Sequence, residues 1–219
     1  MKRLSKRKLR LWRADFLVNR SLWKNLALCA EVAMSFQHQE RPKIFDIGCG
    51  NKPYKDFFEN SIYIGMNYTI DGALPDLLGD AMSIPIKNDS FEIVLCTQVI
   101  EHVSEPIRMM MEISRVLKPG GFLILSGPFY WPIHEEPYDY YRYSKYGMKY
   151  LVQNAGLDLL QIIPDGGDWA QICCMVNLKL SGRIFVLVRV LINIAGLILD
   201  KLDYSDRMPL NYTLIAKKI

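Results

Sequence analysis

Histidine is scarce in this chain. Only His38, His102 and His134 occur among 219 residues, and no His, Cys or Asp cluster along the sequence has the spacing of a metal site. No metal is expected on that ground. Five cysteines, Cys29, Cys49, Cys96, Cys173 and Cys174, are an odd number without ligand spacing, which argues against a disulfide framework and for a reducing, cytoplasmic setting. No secretory leader is expected either, because charges persist through Arg13 and no apolar stretch of about 7–15 residues follows before Arg20. The most apolar segment, 184–199, is interrupted by Arg189 and Asn193 and falls short of the roughly 20 residues that span a bilayer. It reads as a buried or interfacial helix. Internal repeats and low-complexity tracts are absent, which excludes solenoids and disordered linkers.

What is present is the material of one globular domain spanning 1–219. Half of the residues are hydrophobic and 23% are charged, enough to bury a core. Charge is unevenly placed: the net value is +4, yet residues 1–20 carry eight Lys/Arg against Asp15, which is +7 locally and leaves the remainder near −3. A body of that sign has no general nucleic-acid face, so no nucleic-acid partner is expected.

Along the chain, Leu9, Trp12, Phe16, Asn19, Trp23, Leu26 and Ala30 recur at helical spacing opposite Lys and Arg, predicting one or two basic amphipathic helices within 1–40. Lys43–Ile47 reads as a first strand running into Gly48-Cys49-Gly50, with Pro53 suited to the first turn of a short helix. Further strands are read at Ile62–Met66, Asp76–Asp80, Phe91–Cys96, Phe122–Leu125, Leu157–Ile163 and Tyr212–Ala216. One helix carries Ile107, Met110, Met111, Ser114 and Leu117 and ends at Pro119-Gly120-Gly121; another runs from Tyr146 to Ala155 with Gly156 as its cap. This alternation predicts an α/β fold, a doubly wound, mostly parallel seven-stranded sheet, with a helical insertion over 165–210 before the last strand. Ligands of such sheets bind at the carboxyl ends of the strands, here after Ile47, Met66, Gly79, Cys96 and Ser126.

A glycine-rich turn after the first strand lets backbone approach a ligand closely. A nicotinamide site is disfavoured, because Pro53 stands where a dinucleotide fingerprint has its third glycine and Asn67 where it has an acid. Asp46-x-Gly48-x-Gly50 followed by Pro53-Tyr54 instead resembles motif I of class I S-adenosylmethionine (SAM)-dependent methyltransferases. The resemblance continues in register through Tyr63-Ile-Gly-Met-Asn67, Gly79-Asp80-Ala81 with Ile84-Pro85, Asp89–Val94, Val99-Ile100-Glu101-His102-Val103 and Arg115–Gly121. A subgroup encoded with bacterial and archaeal polysaccharide genes looks similar through His134–Asp139.

The resemblance implies SAM as cofactor. Asp46 would organise its methionine end over Gly48, Cys49 and Gly50, Asn67 would hold the ribose, Asp80 and Ala81 the adenine, and Thr97 and Gln98 the methionyl end. Asn67 replaces the usual Asp or Glu, losing one charged acceptor while keeping a carbonyl oxygen.

The loop from Pro128 to Tyr143 is the expected acceptor site. His134 is the first choice of general base and His102 the second, since imidazole titrates near neutrality. Tyr130, Trp131, Asp139 and Arg142 are candidate acceptor contacts, with an Asp139–Arg142 ion pair that merely shapes the loop as the plainer reading. The expected reaction is methyl transfer to an oxygen of a small-molecule or lipid-linked, glycan-like acceptor. Its rivals are C-methylation of a quinone-like lipid and a SAM-binding protein with little catalysis. The apolar helix is expected to pack on the N-terminal helices or a second copy, or to lie peripherally on a membrane with the basic arm.

Overall fold

The computed structural model describes residues 9–219 apart from Asp71 and Ala73, so the first eight residues of the basic arm lie outside the described residues. Seven strands form one sheet: β1 (Lys43–Ile47), β2 (Ile62–Asn67), β3 (Leu77–Leu78), β4 (Phe91–Thr97), β5 (Leu117–Pro128), β6 (Leu157–Asp165) and β7 (Asn211–Lys218). Their order is β3-β2-β1-β4-β5-β7-β6, parallel except for β7, which runs antiparallel to β5 and β6. Five α-helices are described: α1 (Phe16–Ser35), α2 (Pro106–Val116) and α3 (Lys145–Asn154) pack on the sheet, and α4 (Asp168–Lys179) and α5 (Val186–Leu202) pack on each other and on α1.

The central strands are apolar on both faces because both faces are covered. Phe45, Val94, Cys96, Leu123 and Leu125 bury against Met109, Met110 and Ile113 of α2 and Met148 and Val152 of α3. Their chain neighbours Ile44, Ile93, Leu95, Phe122 and Ile124 point the other way, onto Leu22, Leu26, Cys29, Ala30 and Ala33 of α1. The period of two thus assigns each residue to one helix layer.

Of the one or two helices expected within 1–40, one is present among the described residues, starting at Phe16. Two expectations need correction. Pro119-Gly120-Gly121 does not close a helix: α2 stops at Val116 and the chain passes straight into β5, where Leu117 pairs with Phe91. The third strand shrinks to Leu77–Leu78, and the Asp76 side chain before it accepts the Gly65 N–H at 2.6 Å.

Asp165, at the end of β6, anchors α1 to the sheet. Its fully buried carboxylate accepts from Asn25 Nδ2 at 2.7 Å and from Thr213 Oγ1 at 3.0 Å. Burial outweighs these hydrogen bonds and pushes the carboxyl up to about 7. A raised folded-state value makes this contribution to stability complete below the ordinary carboxylate range; it is lost as pH rises from about 4 through 7. Asp165→Asn, which can still accept from Asn25 and donate to Thr213, is therefore expected to stabilise the protein at pH 8 by on the order of 2 kcal/mol and hardly at all at pH 4. Urea melts at the two pH values check this; a variant less stable than wild type at pH 8 would refute the assignment.

Candidate active site

Gly48 and Cys49 leave β1 with their N–H groups on the Met66 carbonyl, at 2.9 and 3.1 Å, which folds the turn back over the end of β2. Gly48 has φ +69°, and a Cβ there would stand 2.3 Å from Val99 Cγ2; only glycine fits. Gly50, at φ +48°, has nothing within 4 Å of where a Cβ would stand, so its backbone faces open space. That space is a cleft of about 860 Å³ lined by Gly48, Cys49, Gly50, Thr97, Gln98 and Trp131, with Asp15, Val18, Asn19 and Leu22 of α1 as its roof. Gln98 adopts φ +54°, a conformation that costs energy outside glycine and gathers at functional sites; its N–H bonds the Ser126 carbonyl at 3.0 Å. The carboxyl ends of β1, β4 and β5 thus meet at one cleft, as the parallel topology requires.

The structure separates the residues expected to hold SAM into two groups. Gly48, Cys49, Gly50, Thr97 and Gln98 line the cleft. Asp46 lies beneath it, buried, accepting the Tyr63 hydroxyl at 2.6 Å, and burial raises its carboxyl to about 7. Asn67 Oδ1 accepts the Gly50 N–H at 3.1 Å, so the amide braces the glycine turn. Asp80 accepts the Met82 N–H at 2.8 Å, and Ala81 packs on the core beside it; neither lines the cleft. The α1 roof, Tyr54 and Asn211 also line the cleft without having been expected there. Only Tyr54 had a signal, beside Pro53 in the turn motif; α1 and Asn211 reach the site through tertiary packing.

On the acceptor side, Trp131 reaches the cleft while Tyr130 turns away, its carbonyl accepting Gln171 Nε2 at 3.0 Å. Asp139 and Arg142 form a bidentate pair at 2.6 and 2.8 Å. Arg142 also donates to the carbonyls of Trp131 and Pro132, and Asp139 accepts the His134 N–H at 2.9 Å. The pair shapes the loop, and the guanidinium holds the Asp139 carboxyl far below the usual carboxylate range. His134 meets His102 edge to face, ring centres 4.8 Å apart, beside the buried carboxylate of Glu101.

Residues 45–125 match the family model described as a methyltransferase domain. The fold is the class I methyltransferase fold. Phosphoethanolamine N-methyltransferase 2 of Haemonchus contortus, solved with S-adenosyl-L-methionine, superposes with a TM-score of 0.58 at 15% identity, covering 89% of this chain and 52% of that one. Among curated relatives, an uncharacterized methyltransferase of Mycobacterium bovis is 43% identical over 53 residues, 22% of this chain and 21% of that protein. The demethylmenaquinone methyltransferase of Staphylococcus saprophyticus is 34% identical over 70 residues, 32% of this chain and 30% of that protein. The chain therefore spans well under half the length of these curated relatives.

Proposed function

We propose that this protein transfers a methyl group from SAM to an oxygen of an acceptor presented at a membrane surface. The observation that carries the reading is the cleft at the glycine turn, large enough for a cofactor and open at Gly50, inside a segment that matches a methyltransferase domain. Gly48, Cys49, Gly50, Thr97 and Gln98 would hold the methionine end, with the Asp46 charge beneath it favouring a cation above. SAM would supply a methyl group already activated by its sulfonium. The protein's share is then orientation and exclusion of water, for which the α1 roof and Trp131 are placed.

The apolar helix supports the membrane part of the reading. Asn193 and Gly196 are its buried residues, whereas Leu187 is 77%, Leu191 66% and Leu202 77% exposed. Its polar stripe faces inward and its apolar face outward. Asn193 Nδ2 bonds the carbonyls of Leu11 and Arg13 at 2.7 and 2.9 Å, and Asp200 accepts the N–H groups of Gly167 and Ala170 that begin α4. The buried positions are polar because they satisfy backbone that would otherwise be orphaned. Through Asn193 the inner side of α5 holds the segment that leads back to the basic arm. An anionic bilayer surface matches both the apolar face and the charge. No helix among the described residues is long and apolar enough to cross a membrane.

A glycan-like group on a lipid carrier is the acceptor class this reading favours. Similarity to a demethylmenaquinone methyltransferase supports a second reading, transfer to a ring carbon of a lipid quinone. Calorimetric titration tests the cofactor: SAM and S-adenosylhomocysteine are expected to bind with one site per chain, and NAD not at all. Binding of NAD in preference to SAM would overturn the function.

A further inference from the structure

Glu101 presents a problem that the cofactor cleft does not solve. It sits in a short 3-10 turn after β4, is fully buried, and neither carboxylate oxygen has a hydrogen-bond partner. A buried carboxylate that accepts no hydrogen bond is costly. The two imidazoles beside it are held through Nδ1. His102 Nδ1 stands 2.7 Å from the Tyr138 carbonyl, so the proton belongs on Nδ1 and the Nε2 lone pair points at Glu101, 3.7 Å from Oε1. His134 is set the same way: its Nδ1 is 3.2 Å from the Pro132 carbonyl and 3.4 Å from Asp139 Oδ2, which leaves Nε2 as a lone pair. One ligand atom from each of Glu101, His102 and His134 falls within 4.8 Å of the other two. The exposed Glu135 places Oε2 3.8 Å from His102 Nε2.

We propose that Glu101, His102 and His134 bind one divalent transition cation of the zinc class. With each Nδ1–H on a backbone carbonyl, the ligand atoms of Glu101, His102 and His134 all offer electron pairs, and a cation satisfies the three together. Two imidazoles and one carboxylate suit zinc, cobalt, iron or nickel, whereas magnesium and calcium prefer sites built wholly of oxygen. The backbone carbonyls and Asp139 that hold each Nδ1–H supply the outer hydrogen bonds that fix imidazole tautomers in metal sites. Arg142 pins Asp139 and thereby positions His134. Bonds of about 2.1 Å would require the three ligand atoms to draw together by roughly an ångström, a movement within reach of the loop that carries His134. Three protein ligands leave a coordination position for water or an acceptor oxygen. With both Nε2 atoms on the cation, neither imidazole serves as a base, so the site replaces the general-base role for His134 and His102.

The sequence gives no such pattern because the ligands are not spaced as a motif: the loop after β5 returns His134 to the turn after β4. The test needs neither SAM nor an acceptor, so its failure and that of the methyl-transfer reading are separable. Protein stripped with a chelator and dialysed is titrated with Co²⁺ while visible absorption is followed. One Co²⁺ per chain is expected, with d–d bands displaced by Zn²⁺ and untouched by an excess of Mg²⁺. His102→Ala and His134→Ala are each expected to weaken Co²⁺ binding by at least about thirtyfold, with the circular dichroism of the metal-free protein unchanged. Glu101→Gln should do the same, but because Glu101 is buried the half-exposed His134 gives the decisive variant. No Co²⁺ absorption beyond that of the free ion, or Co²⁺ affinity unchanged in both histidine variants, overturns the site.

Discussion

Asp46→Ala is expected to weaken SAM binding about a hundredfold in calorimetric titration, with the fold retained. Asp46 sits one residue before the end of β1, buried under the glycine turn, and accepts the Tyr63 hydroxyl at 2.6 Å. Burial raises its carboxyl to about 7, so in the free protein near neutrality the group is about half protonated. A sulfonium and an ammonium bound above it would favour the ionised form, and in a poorly solvated site a hundredfold effect corresponds to about 2.7 kcal/mol, ordinary for one charge pair. The sign of the pH dependence follows. The charged ligand binds the ionised form better, so affinity should rise about tenfold between pH 6 and pH 8 as the carboxyl loses its proton. Asp46→Asn keeps the shape and the Tyr63 contact and removes the charge; it should bind weakly and lose that slope, which separates the carboxyl from any titration of SAM itself. Unchanged affinity in Asp46→Ala would remove this residue from the cofactor site.

How far the sequence discloses the molecule depends on the range of the physics involved. β1, β4 and β7 are legible because an apolar run bounded by turn residues has few alternatives, and both faces of these strands are buried. The glycine turn is legible for the same local reason: φ +69° at Gly48 and the close approach of Val99 admit no side chain. Where two local signals compete, the reading fails. Pro119-Gly120-Gly121 has the chemistry of a helix stop, yet the pairing of Leu117 with Phe91 draws the segment into β5 before the proline is reached. In α5, periodicity separates a polar stripe from an apolar one but is blind to which faces the core, because that is decided by partners far along the chain. Asn193 turns inward to reach the carbonyls of Leu11 and Arg13, some 180 positions away. The roof of the cleft has the same origin. Asp15, Asn19 and Leu22 carry no motif and become site residues because α1 packs on the sheet and Asn25 ties it to Asp165.

The outward apolar face of α5 is expected to bring the protein to anionic vesicles. Leu187, Leu191, Ile198 and Leu202 follow one another at helical spacing on the exposed side, and each would contribute roughly 1.5–3 kcal/mol if fully buried in the acyl boundary. The arm adds charge: eight Lys/Arg lie in residues 1–20, worth about 1 kcal/mol for each that reaches an anionic surface. The two contributions answer differently to salt. Raising ionic strength screens the arm but leaves hydrophobic burial in place, so flotation with anionic liposomes should fall and not vanish between 50 and 500 mM salt, roughly a threefold change in Debye length. Neutralising Lys2, Arg3, Lys6, Arg7 and Lys8 to Gln should remove the salt-sensitive part alone. Leu187→Glu with Leu191→Glu should remove the salt-resistant part, and because both side chains already face solvent the melting temperature should move little. A wild-type protein that stays with the unbound fraction at low salt defeats the membrane reading. If that same protein also sediments as a dimer, and the double variant as a monomer, the face belongs to a second copy of this chain.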